Sequence, residues 1–271
     1  MSSPASINVT QLARLVGTSS APVIVDVRKP DDFNADPRIL PAAKKRDAPN
    51  VAAWTNELRG KQAVVVCQRG GSRSEGAAAW LRAEGVEAEI LEGGFEAWRA
   101  ANQLLVDTIH LPERDAAGRT VWVTRARPKV DRIACPWLIK RFIDPDAMFL
   151  FVRQSEVREV AQRYNGAAFD IDDTFWSHRG EFCTFDTMLE EFKLKSPALD
   201  DLALIVRGAD TAKLDLAPQA AGLLAASLGL SRMFRDDLEQ LEASMLLYDA
   251  FYRWRRDAAE ETHNWPGPMK A

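Results

Sequence analysis

The chain has little cysteine. Its 271 residues hold three, at positions 67, 135 and 183, scattered and odd in number. That count argues against a disulfide framework and predicts a reducing compartment. Long hydrophobic runs are also lacking: no stretch reaches the ~20 apolar residues of a membrane helix. Met1 to Ser6 puts no basic residue ahead of an apolar segment. The expectation is a soluble, cytoplasmic protein with no membrane partner. A surplus of one charge is missing too. With 35 basic and 39 acidic residues the net charge is −4, which argues against wholesale non-specific DNA binding but leaves room for a local basic patch. There is no helix-turn-helix pattern for direct DNA readout, no internal repeat and no low-complexity segment.

What is present suffices for two cores. At 271 residues with 46% apolar content, two domains are expected, since one domain averages about 150 residues. The first spans 1–105. Residues 106–118, with Pro112 and Gly118, read as a linker. The second domain spans 119–271, and the two halves are expected to fold separately.

Cys67 carries the strongest signal. It ends the run Ala63-Val64-Val65-Val66, which reads as a buried parallel strand. Gln68-Arg69-Gly70-Gly71-Ser72-Arg73-Ser74 follows as a glycine-bearing loop, and a helix is predicted from Glu75. The thiol thus faces the first turn of a helix, where free N–H groups and the dipole favour thiolate. Arg69 and Arg73 add cationic side chains. The same cradle suits a tetrahedral oxyanion, with Gln68, Gly70, Gly71, Ser72 and Ser74 forming its loop.

Two flanking segments complete the pattern: Val23 to Arg28, a strand ending in an Asp/Arg pair, and Leu91-Glu92-Gly93-Gly94-Phe95-Glu96-Ala97-Trp98. With the Cys67 loop between them, residues 1–105 resemble a single rhodanese domain. The resemblance implies an α/β fold: a five-stranded parallel sheet with helices on both faces. It also implies a sulfurtransferase whose Cys67 forms a persulfide from a sulfane donor such as thiosulfate and passes sulfur to a thiol acceptor, with no cofactor required. Asp26 and Arg28 read as scaffold. There are departures. Where many rhodaneses carry Gly-His-Ile-x-Gly-Ala, this chain has Arg38 to Arg46, basic and without that histidine. The spacing from Cys67 to Arg73-Ser74 also fits the Cys-x5-Arg-Ser signature of protein tyrosine phosphatases, and a longer loop suits phosphate, arsenate or chromate. Against a phosphatase, Val66 stands where a histidine usually precedes the cysteine.

The second half differs in rhythm and reads as an α+β, helix-rich domain. Thr120 to Thr124 alternates as a strand, and Val130, Ile133, Trp137 and Phe142 recur at helical spacing. Met148 to Val152 and Ala167 to Ile171 read as strands, and helices follow near 186–194, 198–208, 218–228 and 236–257. Three segments, Thr124 to Pro145, Ser177 to Asp186 and Ile205 to Asp210, together resemble the C-terminal domain of the ChrB-type chromate resistance proteins. The resemblance covers roughly 119–260. It implies a place in chromate resistance, and some family members are described as chromate-responsive regulators.

Arg125, Arg127, Lys129 and Arg132 cluster at the mouth of a predicted helix. They read either as an anion site or as a solvated basic face. His178 and Cys183 stand near several aspartates and read either as metal ligands, implying a metal ion in this half, or as a buried thiol beside an acidic turn. The broad apolar face of the last helix packs in the core or forms a homodimer seam. Three functional readings stay open: the sulfurtransferase; a chromate-responsive regulator with a non-catalytic pocket, the one reading in which DNA is a partner; and a Cys-x5-Arg phosphatase or oxyanion reductase.

Overall fold

The computed structural model describes residues 5–261; the reading of Met1 to Pro4, and the ends of both expected domains, lie outside them. The first half alternates strands and helices: β1 (Ser6–Ile7), α1 (Val9–Leu15), β2 (Val23–Asp26), α2 (Pro30–Ala35), β3 (Lys44–Lys45), α3 (Val51–Trp54), β4 (Gln62–Val66), α4 (Ser72–Ala83), β5 (Glu87–Leu91) and α5 (Gly94–Ala100). The five strands form one sheet in the order β1-β5-β4-β2-β3, all pairs parallel. Such a sheet is covered on both faces, which explains the unbroken apolar run of β4. Val65 packs with Ala77, Ala78 and Leu81 of α4 on one face. Val64 and Val66 pack with Leu12 of α1 and with Phe95 and Trp98 of α5 on the other.

The second half contains β6 (Val121–Arg125), α6 (Asp131–Leu138), β7 (Met148–Val152), α7 (Val157–Arg163), β8 (Ala167–Ala168), α8 (Thr184–Glu191), α9 (Pro197–Asp210), α10 (Ala220–Met233) and α11 (Asp237–Asp257). Its small sheet has the order β7-β6-β8 and is parallel throughout. Trp122 faces the large core with α6 and α8, while Val121 and Val123 face α7. The alternation expected for β6 is therefore not one of buried and exposed residues: both of its faces are covered. The third strand is shorter than expected because Asp170 has φ +53°, which ends the extended run, and its amide pairs with the Trp176 carbonyl.

The halves share one core. A single apolar cluster runs from Leu12 and Val16 through Trp98 to Phe142 and Tyr252. A Cβ on Gly17 would lie 2.4 Å from Phe142 Cζ. The Ala42 amide donates to the Phe142 carbonyl at 2.6 Å and the Asp107 amide to the Phe192 carbonyl at 3.0 Å. Arg256 on α11 donates to the Val16 and Arg14 carbonyls. The segment 106–118 is no free tether at its start, since Val106 is wholly buried and pairs with Ile39. The expectation of two separately folding halves therefore meets a continuous packed interior.

Candidate functional site

The Cys67 loop is built from β4, α4 and the turn before α5. The helix begins at Ser72, three residues before the predicted start, with Gly71 as its N-cap and no capping side chain. Arg73 and Ser74 thus sit in its first turn, where the backbone N–H groups have no helical acceptor. Gly94 holds the loop from behind: its φ is +59°, and a Cβ there would lie 2.3 Å from the Cys67 carbonyl oxygen and 2.6 Å from the Gly70 nitrogen. The Phe95 amide donates to the Cys67 carbonyl and the Glu96 amide to that of Gln68. The Gly93-Gly94-Phe95 segment noted in the sequence is the buttress of the loop.

Within this frame the Cys67 Sγ lies 3.1 Å from the Ser74 hydroxyl. Burial pushes the thiol up, but the Ser74 hydroxyl and the N–H groups of Arg69, Ser74 and Gly71 outweigh it, so the thiol sits below its ordinary value. The arginines do not act as the sequence implied. Arg69 pairs with Glu96 at 3.0 Å and its side chain is exposed. Arg73 donates from Nε to the Val27 carbonyl and from Nη2 to Asp47 at 3.1 Å. Both line the open cleft of about 420 Å³ that contains Cys67, along with Lys29 and Glu96. They shape its rim, and the groups that lower the thiol are the Ser74 hydroxyl and the loop amides. Asp26 and Arg28 form a fully buried pair at 2.7 Å, and Arg28 also donates to the Asp36 and Arg38 carbonyls, which fits the scaffold reading.

In the second half the four basic residues do not converge. Arg125 and Arg132 both pair with Asp170, at 3.4 and 3.2 Å. Arg127 is drawn away to the Ser231 and Phe234 carbonyls, and Lys129 is exposed. Arg125 and Arg132 both meet the Oδ2 of Asp170, whose Oδ1 faces His178, so the four residues make no shared anion site.

A different cluster forms. The Nε2 of His178 lies 3.5 Å from Asp131, 3.3 Å from Asp170 and 3.3 Å from Asp210. Asp131 is wholly buried and accepts the Thr184 and Phe185 amides at 2.6 and 3.0 Å, so it caps α8 from another element. The carboxylates of Asp131, Asp170 and Asp210 facing its Nε2 push His178 up to about 12, so with no cation between them the imidazole is charged; a bound cation would take the place of that proton. Burial pushes Asp131 up to about 6, against the pull of His178. Burial raises Asp170, but His178, Arg132 and Arg125 bring it below the usual range. Asp131, Asp170 and His178 can offer ligand atoms within 4.8 Å of one another. Cys183, the other expected ligand, is not in that group. Its buried thiol caps α8, with Asp186 Oδ2 accepting the Cys183 amide at 3.0 Å, and burial raises it well above an ordinary thiol. Asp210 had no assigned role in the sequence, where only its place at the end of the Ile205 to Asp210 segment marked it.

A strand-end cysteine in a loop of inward N–H groups, on a parallel sheet of this order, defines a rhodanese-like domain. The comparisons agree. The rhodanese-like domain model matches residues 8–101 and the ChrB C-terminal domain model residues 122–255; the chain belongs to the rhodanese-like family and carries a ChrB C-terminal domain behind it. It is 30% identical over 96 residues to the thiosulfate sulfurtransferase GlpE of Pseudoalteromonas translucida, covering 35% of this chain and 89% of that protein. It is 32% identical over 147 residues to Protein ChrB of Cupriavidus metallidurans, covering 53% of this chain and 44% of that protein. The chain thus spans less than half the length of that relative. A solved rhodanese-like domain protein from Staphylococcus aureus shares 32% identity, with 34% of this chain and 89% of that chain covered at a TM-score of 0.30. Among the described residues, no helix is long and apolar enough to cross a membrane.

Proposed function

We propose that the chain is a sulfurtransferase acting in chromate resistance, with Cys67 as the sulfur carrier. One observation carries the reading: the Cys67 thiol is held below its ordinary value by Ser74 and three loop amides, at the floor of an open cleft. The thiolate attacks the outer sulfur of thiosulfate. A new S–S bond forms on Cys67, and sulfite leaves with the electron pair of the broken bond. A thiolate acceptor then attacks the outer persulfide sulfur and releases Cys67 as thiolate. The loop amides that hold the thiolate also face the anionic donor. GlpE, named as a thiosulfate sulfurtransferase, supports the donor class, and the ChrB C-terminal domain supports the biological setting.

The test is turnover of thiosulfate with cyanide as acceptor, run beside an aryl phosphate. Thiocyanate should form with the full chain and fall to background for Cys67→Ser. Aryl-phosphate turnover without thiocyanate would move the assignment to the phosphatase reading, and neither activity would favour the regulator.

A further inference from the structure

The second half carries a cluster of ionisable side chains that sulfur transfer at Cys67 does not use. Asp131 lies in the first turn of α6, Asp170 just beyond β8, Asp210 at the end of α9 and His178 in the loop before α8. The topology gathers them outside the carboxyl ends of β6 and β8, where open parallel sheets place their ligand crevices. We infer that this cluster is a divalent-cation site, with Asp131, Asp170 and His178 as ligands and Asp210 closing the remaining side.

The first argument is geometric. One Nε2 atom stands 3.5, 3.3 and 3.3 Å from three carboxylates. A single N–H cannot serve three acceptors, and these contacts lie beyond the usual range of about 2.7–3.2 Å for an N–H···O bond. They match instead the roughly 3.4 Å between neighbouring ligand atoms in a tetrahedral shell with metal–ligand bonds of about 2.1 Å. The donor set is one imidazole with carboxylates, which suits first-row ions such as Mn²⁺ and Zn²⁺.

The second argument is independent of the carboxylates. Thr124 is 1% exposed, and its Oγ1 is buried with no hydrogen-bond partner among the described residues. It stands two residues after Trp122 on β6, so strand alternation puts it on the face covered by α6 and α8, at the end of the strand where the cluster sits. A buried hydroxyl with no partner is destabilising, and a bound ion with its water shell supplies the missing partner. Two backbone positions agree: Val130, directly before Asp131, has φ +36°, and Asp170 has φ +53°. A β-branched residue in that region is a true outlier, and such outliers collect at ligand sites.

The probe is Mn²⁺ titrated into the full chain and followed by loss of the free-ion electron paramagnetic resonance signal. Mn²⁺ is chosen because it disfavours thiolate ligands. The expected result is saturation near one ion per chain. His178→Gln, at a half-exposed position, should stay folded by circular dichroism and weaken binding by about tenfold or more. Asp210→Asn should weaken it less, and Cys67→Ser should bind as the wild type does. No saturable Mn²⁺ binding by the wild type would overturn the assignment, and so would a folded His178→Gln that binds as the wild type does.

Discussion

At the residue scale the three cysteines illustrate how little a thiol says without its surroundings. All three are buried. Cys67 alone has inward amides and a hydroxyl to hold its charge, and its thiol lies low. Burial raises Cys135 and Cys183 well above an ordinary thiol, with the charge of Asp131 adding to both. The thiolate fraction grows as pH rises through the thiol pKa, so the residue with the lowered value reacts first. Iodoacetamide at neutral pH should therefore label Cys67 and leave the other two in the folded protein. Ser74→Ala should shift the Cys67 profile to higher pH. The Ser74 hydroxyl is the largest of the groups that lower the thiol, so its loss moves the profile in that direction. Mapping the labelled peptide against pH checks both; an unshifted profile in Ser74→Ala would leave the loop amides as the sole support. The setting of Cys67 was legible because strand, glycines and helix lie together in sequence. Of its supports, the loop amides were named and the arginines misplaced: arginines are visible as letters, whereas their pairing with Glu96 and Asp47 depends on distant segments.

At the element scale, β4 and α4 were legible because an unbroken apolar run followed by a glycine loop has few other solutions. The segment 91–98 was recognised as a motif, and the structure gives its physical task. Gly94 approaches the Cys67 carbonyl so closely that no side chain fits. Gly94→Ala should cost about 1–2 kcal/mol from the left-handed backbone alone, and more as the loop yields to the new methyl. The measured outcome should be a lower melting temperature together with slower Cys67 labelling. Loss of stability with labelling unchanged would show that the buttress does not set the loop. The shape of α6 was less legible. Its helix carries Pro136 inside and passes into a π-helical turn over Ile139–Ile143, because burial of Trp137, Leu138 and Phe142 overrides the local preference against proline.

At the scale of the whole molecule, the motifs of each half pointed to its family, as the matches over 8–101 and 122–255 bear out, but composition and rhythm did not show how the halves pack. Sequence periodicity shows that a face is apolar and says nothing of which half covers it. Here α11 returns to α1, and Phe142 and Tyr252 close over Gly17, so the interface is part of the core. The His178 cluster was legible only in part. His178 and the aspartates near it are neighbours in the chain, whereas Asp131 and Asp210 come from distant segments that only the folded sheet end brings to them. The basic cluster left an anion site and a solvated face both open because its residues are neighbours in sequence; in the fold Arg125 and Arg132 turn to Asp170 while Arg127 turns to the Ser231 and Phe234 carbonyls.

The central claim is that Cys67 carries sulfur, and intact mass spectrometry of the full chain after thiosulfate treatment tests it most directly. The account predicts a gain of one sulfur atom, located on Cys67, removed by a thiol reductant and absent from Cys67→Ser. A wild-type chain whose mass does not change, or whose added sulfur sits on Cys135 or Cys183, would contradict it.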